Sequence, residues 1–440
     1  MKKDFTKEIK LELGIQLLAY ITMLVLLSLG LPSCSETCEV EHTYTYYEPV
    51  YTPLSEVRNS VESSSPIEVN TMGKLYVRDH LLFINEPNEG VHIYDNQDPS
   101  NPINLSFINI PGNFDLAVYG NILYADSYMD LVAIDISDVY NAKEVGRLTN
   151  LYDDYNSYGF YVDSQLGVVT DWAEVKEITM TESSCADKYN DDFVMYSRGI
   201  AVLETASFDA SNAVSPTNPG MGGSMARMTI GNDHLYALAN PDIVPVSILN
   251  PSSMSEGQRL DLDWSAETLF PRGNELFVGS MSGMHILDIT SPMNPSLIST
   301  YSHISSCDPV VVDGDIAYVT LRSGNTCQSF TNQLEVIDIS NLSDPQLLYT
   351  YEMYNPHGLG KDDNTLFVCD GDEGLKIYDA TNNETIDQNL LINYRSLFAY
   401  DVIPYNGVAM MIATDGLYQY DYTNINDIKL LSKIAFTNAN

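Results

Sequence analysis

The stretch Leu334-Glu-Val-Ile-Asp-Ile-Ser340, "LEVIDIS", decides how this 440-residue chain is read, because the chain spells it repeatedly. "LVAIDIS" begins at Leu131, "MHILDIT" at Met284 and "LKIYDAT" at Leu375. Placed in register on the residue equivalent to Asp338, the copies fall at Asp95, Asp135, Glu204, Ser247, Asp288, Asp338, Asp379 and Asp421. The spacings are 40, 69, 43, 41, 50, 41 and 42 residues, five of seven within 40–43. Self-similarity at such a period is the mark of a repeat architecture and outranks any single local pattern.

Each unit has the same internal order. An alternating run ("DLAVYG" from Asp115) meets a Gly or Asn turn. A second run follows ("ILYADS"), then the Asp-terminated run, a Pro/Asn-rich turn ("NLSDPQ") and a fourth run ("LLYTYE"). Period-two alternation, β-branched and aromatic residues, and turn clusters every eight to twelve residues define strands. After residue 34 no long stretch keeps helical spacing. Four short strands repeated every 42 or so residues predict an all-β chain, a β-propeller of four-stranded antiparallel blades. Eight copies predict eight blades over 67–437. Seven follow if one weak copy, Glu204 or Ser247, is an embellishment. The Asp that closes each run, at 95, 135, 288, 338, 379 and 421, is expected to accept backbone N–H groups in the turn before the Pro, a structural role.

These phrases resemble the LVIVD repeats of bacterial and archaeal cell-surface β-propeller proteins over residues 70–436, with six good copies and two weak ones. The resemblance implies a propeller at a cell surface. It carries no shared catalytic motif.

Residues 1–33 read as an export address. Four Lys precede an almost wholly apolar run from Leu13 to Leu31, and "LPSC" ends at Cys34. A charged start, an apolar stretch and a cleavage site describe a signal peptide; a 19-residue apolar run also nearly suffices for a membrane anchor. "LPSC" resembles the lipobox of bacterial lipoproteins, in which the Cys is acylated, although Pro32 departs from the usual small residue there. Cys34 is therefore the expected lipidation site. The acidic "SETCEVE" that follows is similar to the tag that sends some lipoproteins to the outside of the outer membrane; the other reading is a solvated tether. Residues 34–66 read as a lipidated linker. The expected location is the outer membrane or cell surface, reached through a lipid anchor.

Charge narrows the partners. There are 21 Lys and Arg against 60 Asp and Glu, a formal net charge of -39; removing residues 1–33 leaves 17 bases, 57 acids and -40. Such a surface repels nucleic acid. The expected ligand is a protein or glycan, and the propeller is expected to be a monomer. With so many acids, a pair at glycosidase spacing is certain somewhere and identifies nothing.

What is not repeated stands out. The third unit carries about 25 extra residues, Ala173 to Ser197, then the Gly-rich "SPTNPGMGGSM", which lacks the Lys-Ser/Thr of a phosphate loop. Insertions in blades fall in loops, where function concentrates. Cys307 and Cys327 flank a hairpin that brings them together, a disulfide in an exported protein. Cys369 in "LFVCD" reads as a core residue. His357, Asp115 and Asp401 open the first strands of their units and, with Asp308, are candidate ligands at one mouth of the channel; the other reading is strand-entry capping. No His or Cys spacing marks a metal site and no cofactor is expected. "DGDEG" from Asp370 lacks a calcium loop's remaining ligands, so Ca²⁺ is expected only as a weakly held ion. No nucleophile motif occurs. The expectation is a binding scaffold, not an enzyme; the alternative is a polysaccharide-active enzyme with its site at the channel mouth.

Overall fold

The computed structural model describes residues 21–23, 40–71, 73–152, 162–163, 165–182, 220–239, 241–262, 266–302, 309–323 and 331–437. The chain divides into two compact units, 1–49 with 172–200 and 50–171 with 201–440. Apart from a helical turn at 21–23, the described residues of the smaller unit belong to two long strands, Val40–Thr52 and Gly167–Glu182, neighbours in one three-stranded sheet. The insertion expected as loop from Ala173 is thus strand as far as Glu182; residues 183–197 lie outside the described residues. Among the described residues no helix is long and apolar enough to cross a membrane.

The larger unit is a β-propeller. Its blades span 75–109, 116–148, 228–261, 266–302, 310–352, 359–394 and 399–435, each an antiparallel meander running outward from its first strand. In the third, the outer strand is split into Ser255–Glu256 and Leu260–Asp261, both paired to Asp242–Ser247.

Eight blades are the preferred expectation and seven the alternative; the third unit, over 157–222, lies largely outside the described residues. It falls in the chain between the blades at 116–148 and 228–261. The inner strand Leu116–Tyr119 lies directly against Met228–Gly231, and Leu116, Val118 and Leu131 share one core with Met228, Ile230 and Val246. Seven sheets of four or more strands are present among the described residues, the number first set as the alternative. Glu204 lies outside the described residues. Ser247 keeps its expected register: it faces His234 as Asp288 faces Glu275.

Burial explains the pattern. A blade is covered on both faces by its neighbours, so its inner strands lose alternation and become apolar runs, as in any sheet buried on both sides. Ile122–Ser127 and Asp130–Asp135 are almost wholly buried, whereas the outer strand Lys429–Ala435 alternates toward solvent. Outer edges invite pairing with other chains, and a β-bulge blunts an edge. A register shift interrupts the outer pair in six blades.

The Asp of "VIDIS" closes a two-sided lock. Asp95, Asp135, Asp288, Asp338, Asp379 and Asp421 each accept the backbone N–H two residues on, at 2.8–2.9 Å. The next residue donates its own N–H to the blade's first hairpin turn: Ile136 to Asn121, Ile289 to Asn274, Ile339 to Asp315. Those Ile side chains are buried in the core. One dipeptide therefore fixes two turns and supplies an apolar anchor, which is why it recurs.

Residues 54–66, expected as linker, are built into the propeller unit. The short helix Leu54–Val57 buries Val57 against Tyr128, Met129, Val162 and Val168. Arg58 then reaches buried Asp130, and Glu62–Ser64 pairs with the outer strand of the first blade. The stretch reads as linker because it is polar and aperiodic; its stability comes from one ion pair and an edge strand, which leave little trace in hydropathy.

Candidate functional site

The channel is occupied by the chain itself. Residues 220–227, the end of the Gly-rich connection, run along the inner strands. Met221 and Gly222 add a strand to the inner edge of the first blade, opposite Val77 and Tyr76. Gly220 donates its N–H to the Val118 carbonyl at 3.1 Å. Ser224 Oγ accepts from the Leu359 N–H at 2.8 Å and donates to Asp401 Oδ1 at 3.3 Å. The Met225 carbonyl accepts from Lys74 Nζ at 2.6 Å. Leu269 N–H donates to the Ala226 carbonyl at 2.7 Å, and Arg227 N–H to Asp115 Oδ2 at 2.6 Å. The segment thus touches the first, second, fourth, sixth and seventh blades. Gly220 is required by contact: a Cβ there would stand 2.2 Å from the Tyr76 ring and 2.8 Å from the Val77 carbonyl.

Three expected channel-mouth residues are interior. Asp115, Asp401 and His357 are 3%, 4% and 2% exposed. Asp115 and Asp401 meet at the same segment, three residues apart on it. Lys74, 4% exposed, lies 3.9 Å from Asp115 Oδ2 and acts on both carboxyls. Burial raises both: Asp115 above the usual carboxylate range, and Asp401 to about 7. His357 does not join them. Its ring stands edge-on to Phe398 and Tyr400, each 5.3 Å away, and neither nitrogen has a hydrogen-bond partner among the described residues. Burial pushes its pKa down to about 2, so the ring is neutral. Asp308 lies outside the described residues, as do Cys34, Cys307 and Cys327.

Behind Asp115 a second layer fixes the loop that carries it. Asp126 Oδ1 accepts from Asn113 Nδ2, Phe114 N–H and Asp115 N–H at 2.7–2.9 Å; burial raises Asp126 to about 7. Asp370, in "DGDEG", plays the same part in the sixth blade. It accepts from Tyr354 and Asn355 N–H and pairs with Lys376. Its carboxylate is thus engaged by donors of its own blade and of the residues just before it. Cys369, beside it, is a buried free thiol. No described residues form a cluster suited to a metal ion.

Sequence reading missed Lys74, Ser224 and the whole 220–227 segment. The signal was present in "NPGMGGSM": glycine in a strand context marks close approach of another backbone.

These features define a class, a β-propeller, and the comparisons with known proteins refine it. The LVIVD repeat model matches residues 113–149 and 306–353, so the chain carries LVIVD repeats. No match was found among curated protein sequences. Among solved structures the chain is similar to the computationally designed Ika8 protein (12% identity, 84% of this chain and 90% of that one, TM-score 0.47). It is similar as well to Kluyveromyces lactis Hsv2 (9%, 82% and 99%, 0.46) and to BamB from Moraxella catarrhalis (8%, 87% and 97%, 0.47).

Proposed function

We propose that this chain is a non-catalytic binding scaffold, held at the outer membrane or cell surface by a lipid on Cys34, with a protein or glycan as its ligand. The observation that carries the reading is the fate of the channel's polar groups. Asp115, Asp126, Asp370 and Asp401 are buried, and each is engaged by backbone N–H, Ser, Asn or Lys donors of the same chain. Glycoside cleavage needs two carboxyls open to the sugar on either side of the scissile bond. Carboxyls committed to the scaffold weigh against that alternative at the channel mouth. Binding is then assigned to the parts that do not repeat, the insertion from Ala173 to Ser197 and the loop around Cys327. The apolar run and "LPSC" support the anchor, and the net charge of -39 supports a partner that is not nucleic acid. Ca²⁺ enters only as a weakly held ion on exposed carboxylates, and the propeller acts as a monomer.

The test is cross-linking on intact cells, comparing the full chain with one lacking residues 183–197. The scaffold reading expects a specific partner that disappears with the deletion. An identical set of captured species from both chains would count against it.

A further inference from the structure

Residues 220–227 lie in the channel against elements that other contacts hold in place: Met221–Gly222 pair as strand and a turn follows at 224–225. Four of the channel's recognition elements are fixed without help from residues 220–227. The edge of Leu75–Arg78 is set by pairing with Leu81–Glu86. Asp115 Oδ1 is oriented by its own Leu116 N–H at 2.7 Å, and Asp115 N–H by Asp126. Asp401 is held by the N–H of Val402. Lys74 N–H is placed by Asn85 Oδ1. Each element recognises backbone or a hydroxyl: a strand edge for main-chain pairing, the Lys74 ammonium for a carbonyl, Asp115 for an N–H, and Asp401 with the Leu359 N–H for a Ser oxygen. This is strand addition, in which the main chain supplies affinity and fitted positions supply specificity.

The occupant is poorly suited to remain. Three of its first four residues are Gly, which lose the most freedom on ordering, and only two of its residues pair as strand. Its C-terminal side continues into Met228–Gly231, which leaves 226–227 as the point about which it would swing.

We propose that residues 220–227 are a cis-bound peptide that keeps the channel closed, and that a partner protein's segment of the same chemistry, a short strand followed by a turn, enters by replacing it. That chemistry is a small residue facing Tyr76, a second small residue two positions on, and a hydroxyl two positions further to fill the Asp401–Leu359 niche. The proposal rests on the scaffold reading and names how that scaffold takes a protein. It fails separately, because the cell-surface cross-linking above requires no channel entry.

The probe is a fluorescein-labelled synthetic peptide of residues 218–228, added to the full chain and followed by anisotropy. Gly220→Val drives a side chain into the Tyr76 ring and expels the cis segment. The variant should bind the peptide at least tenfold tighter than the wild type, and a peptide with Ser224→Ala should lose most of that gain. Peptide binding that differs by less than threefold between folded Gly220→Val and wild type overturns the proposal. If Gly220→Val does not fold, Ser224→Ala in the protein replaces it. That variant loses both bonds of the niche and should bind the unaltered peptide several-fold tighter than the wild type; no gain overturns the proposal equally.

Discussion

Asp130 is the residue whose removal tests whether the stretch before the first blade is structural. Its side chain is 1% exposed and accepts four donors: Arg58 Nε at 2.7 Å and Nη2 at 3.0 Å, Arg147 Nη1 at 3.0 Å and the Asn150 N–H at 3.0 Å. Removing one partner of a buried ion pair costs about 3–5 kcal/mol, because the other charge is left uncompensated. Here the cost lies at the low end. Arg58 is 29% exposed and can rehydrate, and Arg147 keeps Glu144 at 2.6 Å. Asp130→Ala should therefore destabilise by about 3 kcal/mol. Arg58→Ala leaves Asp130 with Arg147 and Asn150 and should cost about 1–2 kcal/mol, in line with the loss of charge-assisted bonds. The two should not add: a double-mutant cycle should return a coupling on the order of 1–2 kcal/mol. Denaturant unfolding gives these differences. Hydrogen exchange gives their location, since either substitution should deprotect 54–64 before the blades. An Asp130→Ala protein within about 1 kcal/mol of wild type, or unchanged protection at 54–64, would refute the assignment of Arg58–Asp130 as the clasp.

Stability should peak at mildly acidic pH. Asp126 and Asp401 are raised by burial to about 7, so their contribution is full below the unfolded carboxylate range and is lost as pH rises through about 7. Asp135, Asp288, Asp338, Asp379 and Asp421 are lowered by the hydroxyl and N–H two residues on; their contribution is present at neutral pH and disappears on acidification through the ordinary range. A thermal midpoint that rises steadily from pH 5 to 9 would contradict the buried pair. Cys34→Ala should move the chain from the membrane fraction to the soluble one; retention in membranes would indicate that the apolar run itself is the anchor. Peptide mapping without reductant should recover Cys307 and Cys327 cross-linked, and two free thiols there would remove that disulfide. Gln419→Ala should lower stability by about 1–2 kcal/mol, the loss of two part-buried amide bonds to Asn96, and a denaturant midpoint unchanged within error would show that the seam between first and last blades is held elsewhere.

The repeats made the propeller legible because a blade is a periodic problem. Each must present the same two faces and the same locked turn, so Asp338 and its equivalents recur in register. The blade number was not legible on the same basis. The unit at Glu204 imitates the phrase in hydropathy and lies outside the described residues, while the contact of Leu116–Tyr119 with Met228–Gly231 joins segments far apart in the chain, and such a contact has no periodicity to betray it. The candidate site was half legible. Asp115 and Asp401 were found because they open inner strands and so face the channel. Their partners were not: Lys74 is one residue outside a strand, and Ser224 lies in a Gly-rich connection that carries no strand alternation. His357 shares the strand-entry position but packs among aromatic rings, a distinction set by neighbours rather than by its own place in the repeat.

The seam of the ring bears on what the threaded segment is for. A propeller whose first and last blades are each complete within their own span gains no closure from a shared strand; beside the seam, Val69 takes the Thr437 N–H at 3.0 Å and packs with Phe436. The seam has further bonds of its own. Asn96 and Gln419 exchange amide hydrogen bonds at 2.8 and 2.7 Å, and Ser432 donates to the Pro99 carbonyl at 2.6 Å. Leu75, Leu82 and Ile84 of the first blade share a core with Ile403, Met410 and Ile412 of the last. A seam closed by its own apolar core and paired amides does not need residues 220–227 to hold it. Those residues bridge the first and seventh blades all the same, through Met221 and Ser224, so their contacts are additional to closure. A segment that is glycine-rich, bound through its backbone and dispensable for closing the ring has the properties of a ligand more than those of a brace.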